Sequence, residues 1–203
     1  RSIEAMVLFT ETDTPLSEDD VVQSVELRSV LEMEAMRLAC LRRTPADLER
    51  LQQILQASAD AIGRGETLAD LDAEFHKAIV AATQNHVLLR FINVFYLISR
   101  KRREVYFQAK QQSQRSYAQH LQLYRAIAEQ DVEAGQKILR RHLKGVDAYF
   151  RMFFAEGHGA AQRSALPALA TRRAARPERQ TAGKLKSKAV GKAVAQGSVA
   201  KAK

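Results

Sequence analysis

With 203 residues the chain can bury the core of one ordinary domain and still carry an extension, and its 4 prolines and 9 glycines interrupt little of it. A single cysteine, Cys40, excludes an internal disulfide and suits a reducing cytoplasm. The net charge of +9 suggests a nucleic-acid-binding domain as a whole, but eleven Lys/Arg and one acid, Glu178, lie between Gly159 and Lys203. The 21 basic and 22 acidic residues before them leave the body balanced, so net charge gives that reading no support.

In chain order, Ile3 to Phe9 reads as a short amphipathic segment, followed by a polar connector, Thr10 to Leu16. Ser17 with Asp20 three residues on resembles a capping box, and Glu18, Asp19 and Asp20 suit the positive end of a helix. That helix is expected to bury Val22, Val25, Val30, Leu31, Met33, Leu38 and Leu41 and to stop before Pro45. Cys40, near Met36 and Leu41, reads as a packing residue.

Thr44-Pro45 restarts a helix, with Thr as cap and Pro at its first position, and Gly63 and Gly65 end it. Thr67 opens the next, through Thr83, with Asn85 marking the end. A long helix is expected from about Val87 to Phe107, then a weak spacer around Gln111, a helix from about Ser113 to Gln130, and one capped by Asp131 running to about Ala155. The most apolar stretch, Val87 to Ile98, is too short for a membrane span and carries Arg90 and Asn93. No Val/Ile/Tyr-rich alternating segment argues for a strand. The expected fold is all-α, an antiparallel bundle of six or seven helices.

The expected organisation is a short helix and connector over 1–17, a helical domain over 18–158, and a basic extension over 159–203. The extension has no Phe, Tyr, Trp or Ile and is expected to be disordered, either simply solvated or a loose polyanion-binding arm.

Four residues stand out within the helical domain. Asp72 and His76 are four apart and share a helical face. His120 and His142 each fall mid-stripe in later helices, among Tyr117, Leu121, Tyr124 and Ile127 in one case and Leu139, Val146, Tyr149 and Phe153 in the other. An ionisable side chain on an apolar stripe is costly unless it is paired or bound to metal. Any one of these histidines alone reads as a hydrogen-bonded core residue. Three of five histidines beside a carboxylate amount to a ligand set for a divalent transition ion. From the residues alone, a metal site and a group of core-packed histidines both stand. His86 reads as a surface or junction residue and His158 as solvated.

The residues Glu26-Leu27-Arg28 with Leu31-Glu32, Asp72-Ala73-Glu74-Phe75-His76 with Asn85, His120 with Ala126-Ile127 and Asp131, and Arg141-His142-Leu143 together resemble the FCD effector-binding domain of FadR-like, GntR-type bacterial transcription regulators. The likeness covers about Asp20 to Phe154. It implies that Asp72, His76, His120 and His142 are metal ligands, with zinc first and nickel or manganese as alternatives. It further implies a small organic-acid effector completing the coordination, a homodimer, and a cytoplasmic regulator rather than an enzyme.

Arg28 is a candidate to grip the effector carboxylate, or else an ion-pair partner of Glu32. Asn85 is a candidate effector contact and a helix cap. Arg102 and Arg103 read as a solvated helix end. Family members carry a winged helix-turn-helix ahead of this region. Since the sequence opens at Arg1 without that element, operator DNA is expected to be read through a domain outside it. Two rivals are a metal-dependent hydrolase-like enzyme, disfavoured by the lack of an evident general base, and a metal-free bundle binding an apolar ligand.

Overall fold

The computed structural model describes residues 18–155. Ser17, the segment Ile3 to Phe9, His158 and the basic extension, with the expectations attached to them, lie outside the described residues. Within them the fold is all-α: seven helices and no strand. They are α1 (Glu18–Arg42), α2 (Pro45–Arg64), α3 (Ala69–Ala81), α4 (His86–Ile98), α5 (Arg100–Tyr106), α6 (Lys110–Ala128) and α7 (Val132–Ala155). No helix among the described residues is long and apolar enough to cross a membrane.

Local chemistry explains most helix ends. Thr44 caps α2: its hydroxyl accepts from the Asp47 amide, and the Asp47 carboxylate accepts from the Thr44 amide, with Pro45 at the first turn. Gly65 closes α2 in the left-handed conformation, φ 74°, and its amide reaches back to the last carbonyls. Gly65→Ala is expected to destabilise the fold by about 1 kcal/mol, because a Cβ is strained at that φ, and urea titration would measure it. The helix expected from Thr67 starts at Ala69, with the Thr67 hydroxyl accepting from the Ala69 amide. Asp131 accepts from the Ala134 amide at the head of α7.

The expected long helix over 87–107 is two helices that meet at Ser99, whose ψ is 4°. The reason is Arg103. Its guanidinium is buried, donating to the Tyr96 carbonyl at 2.9 Å, the Ser99 hydroxyl at 2.6 Å and the Ala69 carbonyl at 3.1 Å. It thereby serves a carbonyl that the end of α4 leaves open and ties α5 to α3. Arg103 is therefore a buried clamp, not part of a solvated end. Burial pulls its pKa below the ordinary guanidinium value, only partly countered by Asp72 and Tyr96.

The stripe expected on α1 holds in part: Leu38 is buried, and Leu31 and Met33 pack against the core, but other apolar residues face solvent. Leu27, Val30 and Leu41 are 54%, 68% and 54% exposed, and Val22 is exposed as well. The face turned inward is Ser24, Arg28, Glu32, Ala35, Met36, Ala39 and Cys40. Two charged residues lie inside because they satisfy each other, so the helix presents apolar groups to solvent instead. Cys40 packs as expected, its thiol held up to about 11 by burial.

The main core joins Met36, Ala39 and Cys40 of α1 to Leu51, Ile54 and Leu55 of α2, Phe75 and Ile79 of α3, Leu123 and Ile127 of α6, and Leu139 and Leu143 of α7. Helices α6 and α7, linked through 129–131 and packed on each other, run antiparallel. Buried Gly135 lets α7 approach α1, since a Cβ there would overlap Met36. A second cluster gathers Ala35, Ala73, Val80, Ile92, Phe95 and Tyr96. Ionisable residues are buried on four of the helices: Arg28 and Glu32 of α1, Asp72 and His76 of α3, His120 of α6 and His142 of α7.

Candidate metal centre

The structure brings Asp72, His76, His120 and His142 together, all buried, each offering a donor atom within 4.8 Å of the others. Asp72 and His76 come from consecutive turns of α3, His120 from α6 and His142 from α7. His76 Nε2 lies 3.1 Å from His142 Nε2 and 3.9 Å from Asp72 Oδ1, and His120 Nε2 lies 3.4 Å from that same oxygen.

The outer partners determine which nitrogens face inward. His76 Nδ1 donates to Glu32 Oε2 at 2.6 Å, and His142 Nδ1 donates to Gln119 Oε1 at 2.8 Å. Carboxylate and amide oxygens only accept, so both rings hold their proton on Nδ1 and turn an Nε2 lone pair inward. Burial, reinforced by the neighbouring imidazoles, holds His120 and His142 well below the ordinary histidine pKa, which keeps them neutral.

Two lone pairs 3.1 Å apart repel each other. His120 Nε2 is buried with no hydrogen-bond partner at all. These are polar groups in want of a cation. Metal–nitrogen bonds of about 2.0–2.1 Å place neighbouring donors roughly 3–3.5 Å apart, so the residues fit a divalent transition ion.

The surroundings hold the donors in place. His120 stacks on Phe75, with ring centroids 4.2 Å apart and an interplanar angle of 15°. Ser116 donates to Asp72 Oδ1 at 3.1 Å. Glu32 is the busiest of these partners: Oε1 accepts from Arg28 Nε at 2.6 Å and the Tyr96 hydroxyl at 2.7 Å, while Oε2 takes His76. Burial alone would raise the Glu32 pKa, but the charge of Arg28 and the hydrogen bonds from Arg28 and His76 outweigh it and hold the carboxyl well below the usual range. Arg28 also donates to the Tyr96 hydroxyl at 2.9 Å and lies over the Phe95 ring, 5.1 Å from its centroid. A carboxylate behind a ligating imidazole orients the ring and raises its basicity.

Of the two candidate effector contacts, Arg28 is thus joined to the centre through Glu32 and His76. Asn85 is exposed, and its side chain accepts from the Val87 and Leu88 amides as the cap of α4. The ion pair of Arg28 with Glu32 is the one expected from the sequence, but Glu32 as the acceptor behind His76 was absent from that expectation, as were Gln119 and Ser116. Only Glu32 left a signal, through its helical spacing from Arg28, Ala35 and Ala39.

The described residues thus form an all-α bundle that converges four buried potential ligands on one point, with oriented imidazoles and a nearby guanidinium. Residues 23–145 match the family model of the FCD domain, and the chain belongs to that family, the FCD domains of GntR-family regulators. It is similar to the HTH-type transcriptional regulator LutR of Bacillus subtilis, 31% identical over 70% of this chain and 67% of that protein. It is likewise similar to the Nta operon transcriptional regulator of Aminobacter aminovorans, 32% identical over 59% of this chain and 56% of that one. Among solved structures, the Escherichia coli McbR/YncC chain shares the fold with a TM-score of 0.61 at 20% identity, over 68% of this chain and 67% of that chain. The chain thus spans between about half and two thirds of the length of these relatives.

Proposed function

We propose that the chain senses a small carboxylate at a divalent metal held by Asp72, His76, His120 and His142, as the effector-binding and dimerisation part of a cytoplasmic transcription regulator. The observation that carries this reading is the inward convergence of buried Nε2 atoms, those of His76 and His142 3.1 Å apart and that of His120 without a hydrogen-bond partner. Zinc suits three imidazoles and a carboxylate, and nickel or manganese would accept the same donors. Bound there, the ion would act as a Lewis acid that takes a carboxylate or hydroxyl oxygen of the effector at a position the protein leaves open. The residues bind and orient: the Glu32 carboxylate beside the centre is taken up by Arg28, Tyr96 and His76.

Arg28 is assigned to the effector carboxylate, where its planar fork matches two oxygens. Glu32 holds that fork in the structure, so an incoming carboxylate would compete with it for the guanidinium. Arg28→Lys is expected to keep the metal yet weaken effector binding at least about tenfold, because a point charge cannot replace a two-pronged contact. Titration calorimetry checks this, and unchanged affinity would remove Arg28 from the effector site.

Dimerisation is supported by exposed apolar side chains on two helices that pack together, Leu27 and Val30 of α1 and Val87, Phe91 and Leu97 of α4. Such exposure on a soluble surface marks an interface. Effector binding would bias the packing of two copies, and so the spacing of the DNA-reading domains attached to them. A thermal-shift screen of small hydroxy and keto acids, with and without zinc, tests the whole reading. It predicts stabilisation by an acid only when metal is present; stabilisation of equal size after chelation would contradict it.

A further inference from the structure

Away from the metal centre, five cationic side chains line one open surface groove of about 410 Å³: Lys137, Arg140, Arg141 and Lys144 of α7 and Arg115 of α6. On α7 they recur at i, i+3, i+4 and i+7, one exposed face about 10 Å long at 1.5 Å rise per residue. Arg115 reaches this row across Gly145, where a Cβ would stand 3.1 Å from its Nη2. No carboxylate lines the groove, and none of the five forms an ion pair among the described residues. Among the described residues, Arg141 has a polar partner, donating to Gln122 Oε1 at 2.7 Å. In a body whose charges nearly cancel, this is a concentrated positive strip.

The chemistry of the strip selects its ligand. A specific small molecule would need buried, fixed donors, and these are exposed. A protein partner would need an apolar centre to desolvate, and among the described residues the lining has no aliphatic or aromatic side chain, only the stems and charged heads of Lys and Arg beside a glycine. A linear array of solvated cations matches evenly repeated charge, which is the phosphodiester backbone. We propose that this face takes the phosphate backbone of duplex DNA without reading base sequence, adding affinity to whatever element reads the operator. The proposal is independent of the metal.

The test uses the full chain and a short fluorescent duplex of mixed sequence, with anisotropy titrations across a range of KCl. Wild type is compared with K137Q/R140Q/K144Q and with R37Q/R64Q, two exposed arginines of other helices. Residues 159–203 are the same in all three proteins, so differences report the substituted surface. The groove variant is expected to flatten the slope of log K against log salt by about 2.7, three lost phosphate contacts at about 0.9 each, and to bind at least tenfold more weakly at low salt. Circular dichroism should show an unchanged fold, because all three side chains are exposed. Arg115→Gln, on the other helix, is expected to remove about 0.9 from the slope. An unchanged slope in the groove variants, or an equal loss in the control, overturns the proposal. So does displacement of the duplex by poly-glutamate at equal charge concentration, which would mark the face as a dock for acidic polypeptide.

Discussion

Replacing His142 with alanine is expected to leave the purified protein without stoichiometric metal and to lower its melting temperature by about 10 °C. The size follows from linkage. An ion present at a thousand times its dissociation constant stabilises the folded state by about 4 kcal/mol, and a domain of this size shifts by roughly 2–4 °C per kcal/mol. His142 is buried, its Nε2 stands 3.1 Å from that of His76, and its orientation is imposed by Gln119, so no neighbouring donor can replace it. The variant should therefore melt at the same temperature with and without chelator, whereas wild type should lose about 10 °C on chelation. Elemental analysis together with the paired melts checks this. One metal per chain retained in His142→Ala would show that His142 is not a ligand.

The second large effect is expected at Glu32. Glu32→Ala would strip a buried guanidinium of its counter-charge, which costs about 3–5 kcal/mol. It would also remove the acceptor behind His76, a change that typically weakens metal binding by 10–100-fold. These two consequences are separable. In Arg28→Met/Glu32→Met the stranded charge is gone, so most of the stability should return, because a buried ion pair replaced by apolar groups is often near neutral. Metal affinity should stay low, because His76 still lacks its partner. Urea denaturation and chelator competition measure the two quantities on the same proteins. If the double variant recovers metal affinity along with stability, Glu32 serves only to neutralise Arg28.

Glu32 also shows where sequence reasoning stops. The pair Asp72 and His76 declared itself by spacing, and His120 and His142 by standing on apolar stripes, because a polar group among apolar neighbours contrasts with its surroundings. On α1 there is no such contrast. The inward face carries Ser24, Arg28 and Glu32 while Val22, Val30 and Leu41 face outward, so periodicity placed Leu31, Met33 and Leu38 correctly but missed the polar part of the buried face. Gln119 and Ser116 have the residue types of an ordinary exposed face and gain their roles only when α6 meets α7 and α3.

The break at Ser99 escaped for a related reason. Nothing in Leu97-Ile98-Ser99-Arg100 interrupts a helical pattern; the interruption comes from Arg103 folding back onto carbonyls 34 and 7 residues away. Helix starts and stops that depend on local caps, at Thr44, Gly65, Asn85 and Asp131, were readable because their chemistry lies within four residues of the end they make.

The account stands or falls on one cation shared by three helices. X-ray absorption at the zinc edge, on protein loaded with one equivalent of zinc and dialysed, reads its surroundings directly. One retained ion per chain is expected, about 2.0–2.1 Å from low-Z donors, with the multiple scattering of three imidazoles. Loss of the ion on dialysis, or a shell with fewer than three imidazoles, would contradict it.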